Sequence, residues 1–123
     1  MEPKSILLID DEEMVRDIGK AMLVRLGHRV TIAADGKEAL ALLAAQTPPF
    51  DLVIFDMRMP GMTGAELLAQ MQAASPDSRY ILSSGFALND EASQLMAKGC
   101  RGFIHKPFRL ADITAAVEAA FTS

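Results

Sequence analysis

The amino-acid sequence predicts an α/β fold, a doubly wound five-stranded parallel sheet in the order 2-1-3-4-5 with five helices. Three observations carry this expectation. Short apolar runs alternate five times with segments of helical period, the pattern of a parallel sheet covered on both faces. Two of the runs, Ile6-Leu7-Leu8-Ile9 and Leu52-Val53-Ile54-Phe55, are unbroken, as strands buried on both faces are. Both run directly into acids, Asp10 and Asp11 after the first and Asp56 after the second. Charge therefore falls at the carboxyl ends of central strands, where this fold binds ligands.

The first strand is expected near 5–9 and leads into a helix near 12–26. That helix carries Val15, Ile18, Met22 and Leu26 at steps of three and four, a stripe that should face the sheet. Gly27 breaks it, and the second strand, near 29–33, alternates through His28-Arg29-Val30-Thr31-Ile32 as an edge strand does. Asp35-Gly36 turns the chain into a helix near 36–46, and Thr47-Pro48-Pro49 separates it from the third strand, near 51–55. A loop holding Pro60-Gly61 leads to a helix near 64–73, and Ser75-Pro76-Asp77 precedes the fourth strand, near 79–83. A helix near 88–98 and Gly99 follow, then the fifth strand near 101–105. The last helix, near 109–121, has its own stripe of Leu110, Ile113, Val117 and Phe121.

A length of 123 residues, 50% of them hydrophobic, suits one globular domain spanning 1–123. Cys100 has no partner for a disulfide within the chain, which favours a reducing compartment, and reads as a small buried hydrophobe. The early apolar stretch runs straight into four acids, unlike a signal peptide. No segment approaches the ~20 apolar residues of a membrane span, so the expected address is the cytoplasm, without membrane contact. With 16 acidic against 12 basic residues and a net charge of -4, the chain lacks the basic balance that direct nucleic-acid binding needs. A protein partner is expected instead.

Asp10, Asp11 and Asp56 converge at neighbouring strand ends. At ~4 Å and an effective dielectric of about 20, each like-charge pair costs on the order of 4 kcal/mol, which a divalent ion reverses. Ligands that are all oxygen favour Mg²⁺ over zinc. Asp10 also has a plainer reading, since Asp is a good helix N-cap and Asp10 with Glu13 spans a capping-box interval. Asp56 reads equally as a strand-ending turn residue, but Met57-Arg58-Met59-Pro60-Gly61-Met62-Thr63-Gly64 behind it has proline and glycine spaced to shape a loop under the carboxylate. Ser84-Gly85 ends the fourth strand with a hydroxyl and a residue small enough to admit a ligand. Lys106-Pro107-Phe108 ends the fifth with a base among acids. In isolation Ser84-Gly85 is a turn and Lys106 a solvated lysine. At corresponding ends of strands one, three, four and five, the set suits phosphoryl transfer to a carboxylate.

In this combination and order, Asp10-Asp11-Glu12-Glu13, Asp56-x-x-Met59-Pro60-x-x-x-Gly64, Ser84-Gly85 and Lys106-Pro107-Phe108 resemble the receiver domain of bacterial two-component response regulators, over essentially the whole chain. The resemblance implies a flavodoxin-like sheet and a phosphoryl group passing to Asp56 from a histidine kinase or phosphotransfer protein. It implies Mg²⁺ at Asp11, Asp56 and the Arg58 carbonyl, with Asp10 acting through water, and Ser84 and Lys106 on the phosphoryl oxygens. A cis Lys106-Pro107 peptide is frequent in such domains. Phe103 takes the place of the switch aromatic, which turns inward as Ser84 moves. The fourth helix, fifth strand and fifth helix then form the output face, toward a kinase, a second receiver in a homodimer or an attached output domain. Such a receiver assists its own phosphorylation and dephosphorylation but is a signalling domain, not an enzyme. Many relatives have threonine where this chain has Ser84 and tyrosine where it has Phe103, so either a looser switch or one acting by packing alone is expected. Arg58 and Phe86, two residues beyond Asp56 and Ser84, are placed to flank the route of attacking water.

Other classes fit less well. An FMN-binding flavodoxin needs a Ser/Thr/Gly-rich first loop for phosphate, and Asp10-Asp11-Glu12-Glu13 carries the opposite charge. A haloacid dehalogenase phosphatase needs Asp-x-Asp after the first strand, which is absent. A degenerate receiver that only docks would not need Asp56, Ser84 and Lys106 together. A free-standing regulator and a segment of a hybrid histidine kinase both remain open. His105 lies on a predicted strand, where a phosphorelay histidine is not expected, and His28 reads as an ordinary strand-start residue. Met22, Met71 and Met96 read as adaptable core filler.

Overall fold

The computed structural model describes residues 2–86 and 89–122. Its main sheet is parallel and comprises β1 (Ser5–Ile9), β2 (Arg29–Ala33), β3 (Leu52–Asp56), β6 (Arg79–Ser84) and β7 (Cys100–His105), in the order β2-β1-β3-β6-β7. A small antiparallel hairpin, β4 (Arg58–Met59) with β5 (Met62–Thr63), follows β3. The helices are α1 (Glu13–Arg25), α2 (Gly36–Ala45), α3 (Gly64–Ala74), α4 (Asp90–Ala97) and α5 (Leu110–Ala120). In core-strand terms this is the expected order 2-1-3-4-5. The expected start of the fourth helix at Leu88 lies outside the described residues. The hairpin was not foreseen, because two strands of two residues each leave no period to read. Gly61, at φ +86, turns it.

The unbroken apolar runs have a direct explanation. Side chains alternate across a strand, and each face of this sheet has its own core. Ile6, Leu8, Leu52, Ile54, Ile81 and Ile104 pack with Leu23 of α1 and Ile113 and Val117 of α5. Leu7, Ile9, Val53, Phe55 and Leu82 pack on the other side with Leu43 of α2, Leu67 and Met71 of α3 and Leu95 of α4. Each such side chain contributes about 1.5–3 kcal/mol when fully buried. β2 lies at the edge, as its alternation suggested.

Local signals fix the helix ends. Asp35 caps α2 by accepting from the Glu38 N–H at 2.8 Å. Thr63 and Glu66 form a capping box on α3, and Asn89 caps α4. α1 closes with paired carbonyl satisfaction: Gly27, at φ +96, donates to Val24 O at 2.9 Å, and His28 N–H donates to Leu23 O at 3.1 Å. The α1 stripe needs correction at one position. Ile18 is 44% exposed, while Gly19 and Leu23 are the buried residues of this helix. Glycine carries no hydropathy signal, so the true phase was displaced by one residue. The α5 stripe holds, with Ile113 and Val117 buried and Leu110 and Phe121 packed beside them.

His28 is buried, and its Nδ1 accepts from the Lys4 N–H at 3.0 Å. Burial first, then the charges of the N-terminus and Lys4, push the imidazole below its ordinary 6.5. The folded state therefore favours the neutral ring, and its contribution is complete above about 6.5 and lost as pH falls toward the depressed folded value. Thermal midpoints of wild type and His28→Asn should diverge between about pH 7.5 and 5.5, the wild type losing more stability on acidification. Parallel pH profiles would exclude His28 as the source.

Candidate functional site

Register brings the chemistry together. Ile9 pairs with Phe55, Asp56 with Ser83, and Ser84 with His105, so the carboxyl ends of β1, β3, β6 and β7 are level. The first residue past β1 is Asp10, and its backbone N–H donates to Ala33 O at 3.1 Å. The first past β7 is Lys106, whose backbone N–H donates to Ser84 O at 2.7 Å. The Lys106-Pro107 peptide is cis, as is Thr47-Pro48.

Asp10 is fully buried and doubly satisfied. Its Oδ1 accepts from the Glu12 N–H at 3.0 Å and its Oδ2 from Lys106 Nζ at 2.9 Å. The capping-box reading of Asp10 and Glu13 fails, because Glu12 occupies the N-cap of α1 and no side-chain cap forms. The Asp10 carboxylate instead closes a turn and faces the lysine. The same ammonium lies 3.3 Å from Asp56 Oδ1. Asp56 is 7% exposed, Ser84 1%, and Asp11 exposed. Carboxylate oxygens of Asp10, Asp11 and Asp56 lie within 4.8 Å of one another.

Burial is the main force raising the Asp56 carboxyl above the ordinary range. The Asp10 charge adds to it, and Lys106 opposes it. Burial alone would lower the Lys106 ammonium, but its hydrogen bond to Asp10 and the charges of Asp56 and Asp10 outweigh that and raise it. Three carboxylates against one ammonium leave a double negative excess. An all-oxygen donor set with that excess fits a hard divalent cation such as Mg²⁺.

A cleft of about 500 Å³ opens over this cluster, lined by Asp11, Asp56, Ser84, Lys106, Arg58 and Phe86 among others. A larger groove of about 610 Å³ beside the β4–β5 hairpin touches none of the three aspartates and lacks this chemistry. Ser84 Oγ accepts from the Phe86 N–H at 3.0 Å, which leaves its proton free to turn toward a ligand. The Arg58 guanidinium reaches Glu91 Oε2 at 3.3 Å and stands 5.1 Å from the Phe86 ring centre. Sequence reading missed Glu91, whose only signal is its place in the first turn of α4.

The remaining candidates sit apart. Phe103 is half-buried on β7 against the core layer of α2, α3 and α4. His105 is exposed and ends β7. Cys100 is buried, with its thiol pushed up to about 12 by burial, and is a hydrophobe rather than a nucleophile. Met71 is fully buried, and Met22 and Met96 pack at the edges of the two cores.

The family model for the response regulator receiver domain matches residues 6–118. The chain is 36% identical over 114 residues to the sensor kinase CckA of Brucella abortus, a match covering 93% of this chain and 12% of that protein. It is 30% identical over 118 residues to sporulation initiation phosphotransferase F of Bacillus subtilis, covering 96% of this chain and 94% of that one. Among solved structures, the CheX-CheY-BeF3-Mg+2 complex from Borrelia burgdorferi superposes with a TM-score of 0.91 at 26% identity, covering 99% of this chain and 92% of that one. Other curated relatives are longer, the chain spanning 12% to 50% of their length. Among the described residues, no helix is long and apolar enough to cross a membrane.

Proposed function

Because the chain belongs to the response regulator receiver domain family, we propose that it is the phosphoacceptor of a two-component phosphorelay, with Asp56 as the acceptor. The observation that carries this reading is the Lys106 ammonium standing between buried Asp10 and Asp56, 2.9 and 3.3 Å from their oxygens, at the floor of an open cleft. An Asp56 carboxylate oxygen forms the new bond to phosphorus as the P–N bond to a phosphohistidine breaks, and the P–N electron pair leaves on an imidazole that is neutral because its other ring nitrogen already carries a proton taken from solvent. Ser84 donates its hydroxyl to a phosphoryl oxygen and Lys106 its ammonium to another, so the charge that Lys106 now balances on Asp56 is shared with the incoming group.

Mg²⁺ would be held by Asp11, Asp56 and the Arg58 carbonyl, with Asp10 acting through water. When bound, it offsets negative charge on the phosphoryl oxygens. Drawing Ser84 toward phosphate opens space for Phe103 to turn inward, remodelling the α4–β7–α5 surface that a kinase, a second receiver or an output domain would read. The 123 residues then act as one receiver, a signalling domain working in the cytoplasm without membrane or nucleic-acid contact, either alone or as part of a hybrid kinase.

Acetyl phosphate with Mg²⁺ tests the reading. Intact mass should rise by a single phosphoryl group, and chelating the cation should prevent it. Asp11→Asn should weaken the Mg²⁺ requirement curve by at least the roughly 10- to 100-fold that loss of an outer-shell partner costs. A Mg²⁺-independent adduct, or an unshifted curve in the variant, would refute the assignment.

A further inference from the structure

Glycine inside a helix costs about 1 kcal/mol relative to alanine, yet Gly19 sits buried in the middle of α1. Its neighbours explain why. A Cβ at this position would lie 2.6 Å from Leu8 Cδ2 and 2.9 and 3.1 Å from Phe108 Cε2 and Cδ2. The absent side chain is thus a notch in α1, filled jointly by Leu8 Cδ2 and by the ring of Phe108, which is 7% exposed. Phe108 stands two residues beyond Lys106. The short segment between β7 and α5 is therefore anchored twice, by the Lys106 N–H on Ser84 O at 2.7 Å and by the Phe108 ring against α1.

We propose that Gly19 is a positioning residue for Lys106: the notch seats Phe108, and the seat sets where the ammonium stands between Asp10 and Asp56. The effect on chemistry rests on the phosphoacceptor reading, whereas the placement of the ammonium does not. Filling the notch pushes the ring outward and carries Lys106 with it. If Leu8 yielded instead, the strain would end in the core and Lys106 would stay. Displacement of a positioned group by an ångström can cost ~100-fold in rate, so a partial shift here is expected to cost roughly tenfold.

The test compares Gly19→Ala, Phe108→Leu, Leu8→Val, the doubles Gly19→Ala/Phe108→Leu and Gly19→Ala/Leu8→Val, and Val117→Ala as a control in the same core layer. Three quantities are read on the whole chain: the Lys106 Cε–Hε chemical shifts, the rate of phosphorylation by acetyl phosphate with Mg²⁺, and the thermal midpoint. Gly19→Ala should move the Lys106 shifts and slow phosphorylation about tenfold, with Phe108→Leu in the same chain restoring both toward wild type. Val117→Ala should lose stability with its rate and Lys106 shifts intact. Unmoved Lys106 shifts in Gly19→Ala, or rescue by Leu8→Val rather than Phe108→Leu, would overturn the proposal. If Gly19→Ala does not fold, Phe108→Leu against Leu8→Val decides: only the former should move the Lys106 shifts, and equal effects would sink the idea. Moved Lys106 shifts in a protein whose wild type takes no phosphoryl would uphold the positioning role and refute the phosphoacceptor reading alone.

Discussion

Asp56→Asn is expected to abolish phosphorylation by acetyl phosphate or a phosphohistidine donor, leaving the mass of the treated protein unchanged. Other acids at the cluster do not replace it. Asp10 is fully buried, with both oxygens engaged by the Glu12 N–H and Lys106, and among the described residues Asp11 forms no ion pair that could balance an incoming group. His105 is exposed at the end of a strand, away from the cleft lining. Any residual adduct, mapped by peptide mass to one of these residues, would refute Asp56 as sole acceptor.

The same substitution carries a stability signature. Burial and the Asp10 charge raise the Asp56 carboxyl against the opposing pull of Lys106, so keeping it ionised costs the folded state more than the unfolded chain. Asparagine removes that charge while keeping the shape. Its thermal midpoint should exceed that of wild type at pH 7, and the difference should shrink as pH falls and wild-type Asp56 takes up its proton. A loss of stability at pH 7 would mean that the attraction to Lys106 outweighs burial. Loss of function with gain of stability is the expected mark of a group placed for chemistry.

Lys106→Ala should have the largest destabilising effect. It leaves the Asp10 carboxylate fully buried with the Glu12 N–H as its remaining partner, and leaves Asp56 facing it without the ammonium. Removing one member of a buried pair costs about 3–5 kcal/mol. At the few degrees per kcal/mol usual for a domain of this size, the midpoint should fall roughly 10–20 °C. Mg²⁺ should recover part of the loss, since a divalent cation supplies the missing positive charge. Beryllofluoride with Mg²⁺ should still perturb amides near Asp56 while those of β7 and α5 respond less than in wild type, because the Lys106 ammonium, 3.3 Å from Asp56, links that carboxylate to the end of β7. A midpoint within a degree or two of wild type, or an undiminished response in β7 and α5, would remove Lys106 from that role.

Position in sequence and chemistry of type sufficed for much of this protein. Unbroken apolar runs can be stable only where both faces of a strand are covered, so Ile6–Ile9 and Leu52–Phe55 announced interior parallel strands, and order 2-1-3-4-5 followed. Acids and a lysine at matching strand ends pointed to the candidate site, and the register of β1, β3, β6 and β7 brings those ends level. Other features depended on what lies across space. Asp10 allowed a helix-cap reading beside its reading as an acid of the cluster, and it is a buried partner of Lys106, 96 positions away, since which donor meets a carboxylate is decided by the fold. Glu91 meets Arg58 from 33 positions away, a pairing the fold alone decides. Gly19 was silent in any pattern of hydropathy, and the burial of Ile18 was overestimated for that reason. The phase of α1 is set by the space that Leu8 and Phe108 fill, a steric fact with no counterpart in the local sequence.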